Sequence, residues 1–227
     1  MSAIHGCNIS TDGIAVCLDP SNKGYRKTPF HIQDHSGNGN DGEIAGGTFT
    51  STYFANSAQS HGLVFDLDSP NIWTISMLIK RPTGIARGGS YSRIAGTNGV
   101  IDRGEIALGP SSNTVWVNPP KGGWMPLEVG STSIEIIPGE TAYLCVKFDR
   151  TTNASNVIGY KNGVKVLVTS ASGGDEGGIS GYTIGSRSDF NGEYLPMEVY
   201  HVTVHTKALT DEEVAQNFEA LRRRVNL

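Results

Sequence analysis

The sequence predicts an all-β protein, a two-sheet antiparallel sandwich with one C-terminal α-helix. Three observations carry this. Apolar residues recur with a period of two: in TISMLIK, Ile75, Met77 and Ile79 alternate with Thr74, Ser76 and Lys80, the mark of a half-buried strand. The segments between such runs, GGS, NPPKGG, ASGGDEGG and SDFNGE, are turns by content, and glycine reaches 29 of 227 residues. Only LTDEEVAQNFEALRRRV has helical spacing.

Taken in order, the strand segments are GIAVCLD, GLVFDLD, TISMLIK, EIALG, TVWVN, SIEII, TAYLCVKFD, NVIGYK, VKVLV, YTIGS and MEVYHVTVH. In TAYLCVKFD, Ala142, Leu144, Val146 and Phe148 share one face, with Tyr143, Cys145, Lys147 and Asp149 on the other. Asn162-Gly163 between NVIGYK and VKVLV predicts a two-residue hairpin that needs φ > 0 at both turn positions. The helix is expected at about 210–223. Thr210 caps it, and Glu213 completes a capping box. Asp211 and Glu212 sit at the positive end of its dipole and Arg222, Arg223 and Arg224 at the negative end. That complementarity explains the arginine triplet better than a nucleic-acid patch does. Val214, Phe218, Leu221 and Val225 form the face that packs on a sheet. With no linker or composition break, residues 1–227 read as one domain with a short N-terminal arm at about 1–11.

Composition narrows the function. A net charge of −4 gives no sequence-wide basic field for nucleic acid. No apolar run approaches the ~20 residues that span a bilayer, and MSAIHGCNIS lacks the features of a signal peptide. Cys7, Cys17 and Cys145, odd in number and widely spaced, point to reduced thiols made in a cytoplasm, although a Cys7–Cys17 bridge stays open.

GNGNDG at 37–42 matches the dinucleotide fingerprint G-x-G-x-x-G. The fingerprint works only between a buried strand and a helix, and EIAGGTFTST cannot open one. Counted from Asp34 as an EF-hand, the twelfth position is Ala45, where a bidentate Glu is needed. The run is therefore a turn. His201 and His205 share a strand face about 13 Å apart, too far for one zinc ion, and are assigned to a solvated or interface face. Trp116 and Trp124 flank NPPKGG, where a Trp on a Gly/Pro loop offers a flat apolar face to a pyranose ring. The alternatives are Trp116 in the core and Trp124 over an edge or subunit contact.

TDGIAVCLDPSNKGY, DHSGNGNDGEIAGGTF, GLVFDLD, TISMLIK, YKNG, YTIGSRSDFNGE and HTKALTDEEVAQNFEALRRR follow one another in a characteristic order. This series resembles the laminin-G-like, concanavalin A-like jelly-roll domains, and its opening is most similar to stand-alone domains of tailed-bacteriophage virion proteins. The match covers roughly 12–83 and 141–221. Leu78 and His205 stand where the family often carries Trp and Tyr, and about 84–140 is unmatched. The resemblance implies that SGNGNDG is the family's early turn, with glycines at φ > 0 and Asn and Asp side chains closing onto nearby backbone.

The same resemblance implies a non-enzymatic virion structural protein, made in the host cytoplasm and assembled into the virion. The main expectation is a capsid decoration or knob protein that binds the major capsid protein or other virion proteins, as a homo-oligomer. The alternative is a lectin-like adsorption or tail protein that recognises host glycans. Neither involves nucleic acid or a membrane. Glycosidases of this fold carry E-x-D-x-x-E on one strand. No such run exists here: Glu198 stands alone in PMEVYHV, and Asp175 and Glu176 lie in a glycine loop. No cofactor is required, but laminin-G-like domains often hold one structural calcium. Its candidate ligands are Asp34, Asp41, Asp66 and Asp68. The contact candidates, for protein or glycan, come from the unmatched segment: Trp124, Tyr91, Arg93 and Trp116, residue types that favour interface hot spots.

Overall fold

A computed structural model describes residues 9–21, 30–50, 52–58, 61–67, 70–97, 104–110, 112–119, 123–129, 132–151, 154–172, 179–187, 189 and 192–227. The elements in chain order are β1 (Ile14–Leu18), β2 (His31–Ile32), β3 (Gly42–Ala45), β4 (Thr48–Phe49), β5 (Phe54–Asn56), β6 (Gly62–Asp66), β7 (Ile72–Lys80), β8 (Ser92–Thr97), β9 (Glu105–Leu108), β10 (Val115–Asn118), β11 (Met125–Pro126), β12 (Glu128–Val129), β13 (Thr132–Ser133), β14 (Thr141–Asp149), β15 (Ala154–Lys161), β16 (Val164–Ser172), β17 (Gly181–Ile184), β18 (Met197–His205) and α1 (Asp211–Arg222). The first sheet runs β16-β15-β14-β7-β18-β5-β4, with β1 also on β18. The second runs β11-β10-β9-β8-β17-β6-β3-β2, and β12 and β13 pair separately. All these pairings are antiparallel. The expected two-sheet sandwich with one C-terminal helix is the observed fold.

The period-two residues meet between the sheets. Ile75, Met77, Ile79, Leu144, Val146 and Phe148 face Ile44, Leu63, Phe65, Ile106, Val117 and Ile184 in one continuous core. Trp73 stacks on Phe148 at 4.9 Å. Its indole N–H donates to the Tyr182 hydroxyl at 2.8 Å, which donates to the Gly104 carbonyl, so the buried polar atoms are paired. The hairpin at Asn162-Gly163 forms as expected, with φ of 50° and 77°.

The long strands are not half-buried, which corrects the sequence expectation. Their outer faces lie under α1, where Cys17, Leu78, Tyr143, Cys145 and Tyr160 pack against Ile9, Leu209, Val214 and Leu221 in a second cluster. His201 and His205 belong to this covered face. At 2% and 0% exposure they are neither solvated nor at an outer interface. Burial pushes the His201 imidazole down to about 4, while its Nε2 lies 3.7 Å from the Cys17 sulfur. Cys145 is a buried thiol pushed up to about 12 by desolvation. Cys7 lies outside the described residues.

Helix α1 begins at the predicted cap. The Glu213 N–H donates to the Thr210 hydroxyl, and the Thr210 N–H donates to the Glu213 carboxylate. Val214 and Leu221 are buried as expected, and Phe218 is half-buried over Tyr143. Asn217 is buried too, and its side-chain oxygen accepts from the Ser10 N–H. The helix thereby ties down the arm that precedes β1.

Candidate functional site

The helix covers one outer face of the sandwich, so the outer face of the second sheet is the place to look for a site. Strands β8, β9 and β10 supply its floor. Ile94, Ile106, Val115 and Val117 point into the core. Cross-strand pairing then aligns Arg93, Ala107 and Trp116 in one row on the opposite face. A bulge between Arg93 and Ala95 sends both Ile94 and Ala95 inward and leaves Arg93 outside. Ala107, the smallest member of the row, leaves room for the two large side chains beside it.

Three aromatic rings gather there. Tyr91 precedes β8, Trp116 lies on β10 and Trp124 precedes β11, and all three are half-buried. Tyr91 stacks on Trp124 at 4.7 Å and meets Trp116 edge-on at 5.8 Å. The pyrrole side of Trp116 lies against Gly109, where any Cβ would come within 2.1 Å of its Nε1. Gly109 is thus required by the ring above it.

Arg93 holds the group together from below. It is 3% exposed, and its guanidinium lies 4.5 Å from the centre of the Trp124 ring. Its Nε bonds Glu105 at 3.1 Å, its Nη2 pairs with Glu193 at 3.0 Å, and its Nη1 donates to the Tyr91 carbonyl. Glu193 also meets Arg187 at 3.5 Å, and Arg187 meets Asp189 at 3.3 Å. The loop carrying Glu193 and Tyr194 packs on Gly88 and Gly89, which have no space for a side chain. A buried guanidinium with this many partners is a rigid support.

The four contact residues expected from the sequence are therefore brought together, but their roles differ. Trp116 is neither core nor isolated. Arg93 does not reach the surface, because Glu105 and Glu193 draw it inward. Glu105, Glu193 and Arg187 were missed. Glu105 had a signal, since its parity in β9 places it on the outer face. Glu193 had none, because its loop reaches Arg93 only through the fold.

The acidic residues proposed for calcium are disposed differently. Asp34 Oδ1 accepts from the Cys17 and Ser36 N–H groups, and its Oδ2 accepts from the Ser36 hydroxyl and the Asn40 N–H. Asp41 accepts from the Asp34 N–H and bonds His31 at 2.8 Å. Asp66 is exposed, and Asp68 lies outside the described residues. A hard cation needs carboxylate lone pairs aimed at one point. Those of Asp34 are already directed at N–H and O–H donors, so Asp34 does not fit the role of a calcium ligand. Among the described residues, no cluster of three or more His, Cys, Asp or Glu side chains is placed to hold a metal. GNGNDG is the turn the sequence suggested, with φ of 89° at Gly37 and 79° at Gly39. It borders a polar cleft of about 420 Å³ lined by His31, Asn40, Asp41, Glu43 and Asp66.

Of Glu198, Asp175 and Glu176, only Glu198 is among the described residues. Glu198 accepts from the Tyr200 hydroxyl and lies 3.4 Å from Lys80. Asp175 and Glu176 lie outside the described residues.

No family model matches the chain, and no curated protein matches it. Solved structures do. The receptor-binding domain of botulinum neurotoxin C/D mosaic serotype superposes with a TM-score of 0.65 at 11% identity, over 93% of this chain and 52% of that one. A Trypanosoma rangeli sialidase in complex with sialic acid gives 0.59 at 14% identity, over 94% of this chain. This chain spans only about a third of the sialidase's length, 33%. Domain 4 of AbnA, a Geobacillus stearothermophilus arabinanase, solved with arabinotriose, gives 0.56 at 16% identity over 89% of this chain and 96% of that one. At these identities the likeness establishes the fold alone. The laminin-G-like and phage attributions rest on the sequence motifs. What the comparisons establish is the β-sandwich fold.

Proposed function

We propose that this protein is a carbohydrate-binding module that acts by binding, without turnover, through the aromatic platform on its second sheet. The observation that carries this reading is the half-exposed group of Tyr91, Trp116 and Trp124, fixed from below by the buried Arg93. Large rings held rigid at a surface present flat apolar area at little entropic cost. The carboxylates and guanidiniums around them supply the few oriented polar groups a sugar needs. Two neighbours of the same fold were solved with sugars bound, one with arabinotriose and one with N-acetylneuraminic acid, which supports the reading.

The sequence motifs give this activity a setting on a phage virion, where glycan binding would serve adsorption to a host. The test is a glycan array probed with the unmutated protein, Trp116→Ala and Trp124→Ala. We expect binding to at least one glycan class, weakened about tenfold or more by either change, with melting temperatures recorded alongside. A protein that binds no glycan but occupies undecorated capsids would replace this reading with capsid decoration.

A further inference from the structure

The charges around the platform bear on which glycans it takes. Recognition of an acidic sugar is favoured by a guanidinium or ammonium that is not already neutralised. Arg93 and Arg187 do not qualify, since they are bound among Glu105, Glu193 and Asp189.

Arg81 and Arg87 are different. Both grip the turn that joins β9 to β10, next to the platform. Arg87 Nη1 donates to the Gly109 and Ser112 carbonyls at 3.0 and 2.7 Å, and Gly109 is the residue on which Trp116 rests. Arg81 Nη1 donates to the Asn113 side chain at 2.6 Å and the Ile136 carbonyl at 2.8 Å. These contacts engage only Nη1 of each guanidinium, leaving Nε and Nη2 as donors. Among the described residues neither arginine pairs with a carboxylate. Each is partly buried, and burial lowers both; the charge of Arg87 lowers Arg81 further. Two guanidiniums without a carboxylate partner among the described residues are thus held at the same turn, in a chain of net charge −4. Neutral oxygen acceptors fix their positions without discharging them, which leaves both charges available to an anion.

We propose that Arg81 and Arg87 form an anion subsite at the edge of the aromatic platform, so that the ligand is an acidic glycan whose carboxylate or sulfate meets these arginines while a sugar ring packs on Trp116. This rests on the glycan-binding reading above. The experiment measures binding of the unmutated protein to matched acidic and neutral probes: 3′-sialyllactose against lactose, and 6-sulfated against unsulfated N-acetyllactosamine. We expect at least one acidic member to bind about tenfold more tightly than its neutral partner, with an advantage that shrinks as NaCl is raised. The two pairs distinguish carboxylate from sulfate. Arg87→Lys and Arg81→Gln should lower that ratio, and the ratio in the unmutated protein stands whether or not a variant folds. Equal binding within both pairs would overturn the anion subsite and leave glycan binding intact. Absence of binding to every glycan, neutral or acidic, would overturn the glycan-binding reading and this inference with it.

Discussion

Arg93 carries much of the candidate site and illustrates what a single residue can hide. In SYSRIAG it reads as an exposed strand residue, fit for an interface. The fold instead places it between two carboxylates and under an indole. Removing it would leave Glu105, at 0% exposure, without its guanidinium. We expect Arg93→Ala to cost about 3–5 kcal/mol, read as a lower urea midpoint, and to loosen the stack of Tyr91 on Trp124. An unshifted midpoint would mean that this pair does not support the platform. The aromatic members were legible because Trp and Tyr stand out beside Gly/Pro loops. Their support was not, since a bulge changes strand parity at Arg93 and Glu193 arrives from a loop a hundred residues away.

At the scale of elements, the helix and the sheet beneath it set the response to acid. The period-two pattern of β7, β14 and β18 correctly gave the face that enters the core. It could not show that a helix closes the other face, because Thr74, Ser76, Thr203 and two histidines look solvated in sequence. His201 is buried near Asp19, Arg224, His35 and His205. Its folded value of about 4 lies below the unfolded 6.5, so the unfolded chain binds the proton first. Its contribution is therefore full above pH 6.5 and is lost as pH falls toward 4, a change on the order of 3 kcal/mol. Urea unfolding at pH 7 and pH 4 should show this drop, and His201→Gln should flatten it. A second test concerns the hairpin under the helix. Gly163 has φ of 77°, and a Cβ there would come within 2.9 Å of Phe218. Gly163→Ala should cost about 1–2 kcal/mol from backbone conformation alone, with Phe218 forced to shift as well. A variant as stable as the parent would place the helix farther from this turn.

For the whole molecule, the early glycine turn acts as a stitch between the sheets. Asp34 follows β2 of the second sheet and accepts from the Cys17 N–H in β1 of the first. The Asn38 and Asn40 side chains donate to the Ile14 and Ala15 carbonyls of the same strand. Asp34→Ala would remove the acceptor for four donors and should destabilise by about 2–4 kcal/mol. Because those donors already occupy the carboxylate, adding calcium or EDTA should leave the melting temperature unchanged. A calcium-dependent rise would show that a cation competes for it. The composition of GNGNDG made the turn legible, and the sandwich followed from strand periodicity. The segment 84–140, which matched nothing by motif, supplies β8 through β13 and with them the floor of the platform.

The two outer faces of the sandwich are not interchangeable. Ile9 packs in the cluster beneath α1, Ser10 bonds to Asn217 and His205, and Leu227 packs against the same cluster. The segment Ile9-Ser10 and Leu227 therefore lie on the helix side, while Trp116 lies on the outer face of the opposite sheet. Anchoring through the helix side would orient the molecule like a stud, its back to the support and its aromatic face outward. Copies arrayed on a lattice in this manner would all present that face in one direction, and weak single contacts would add as avidity.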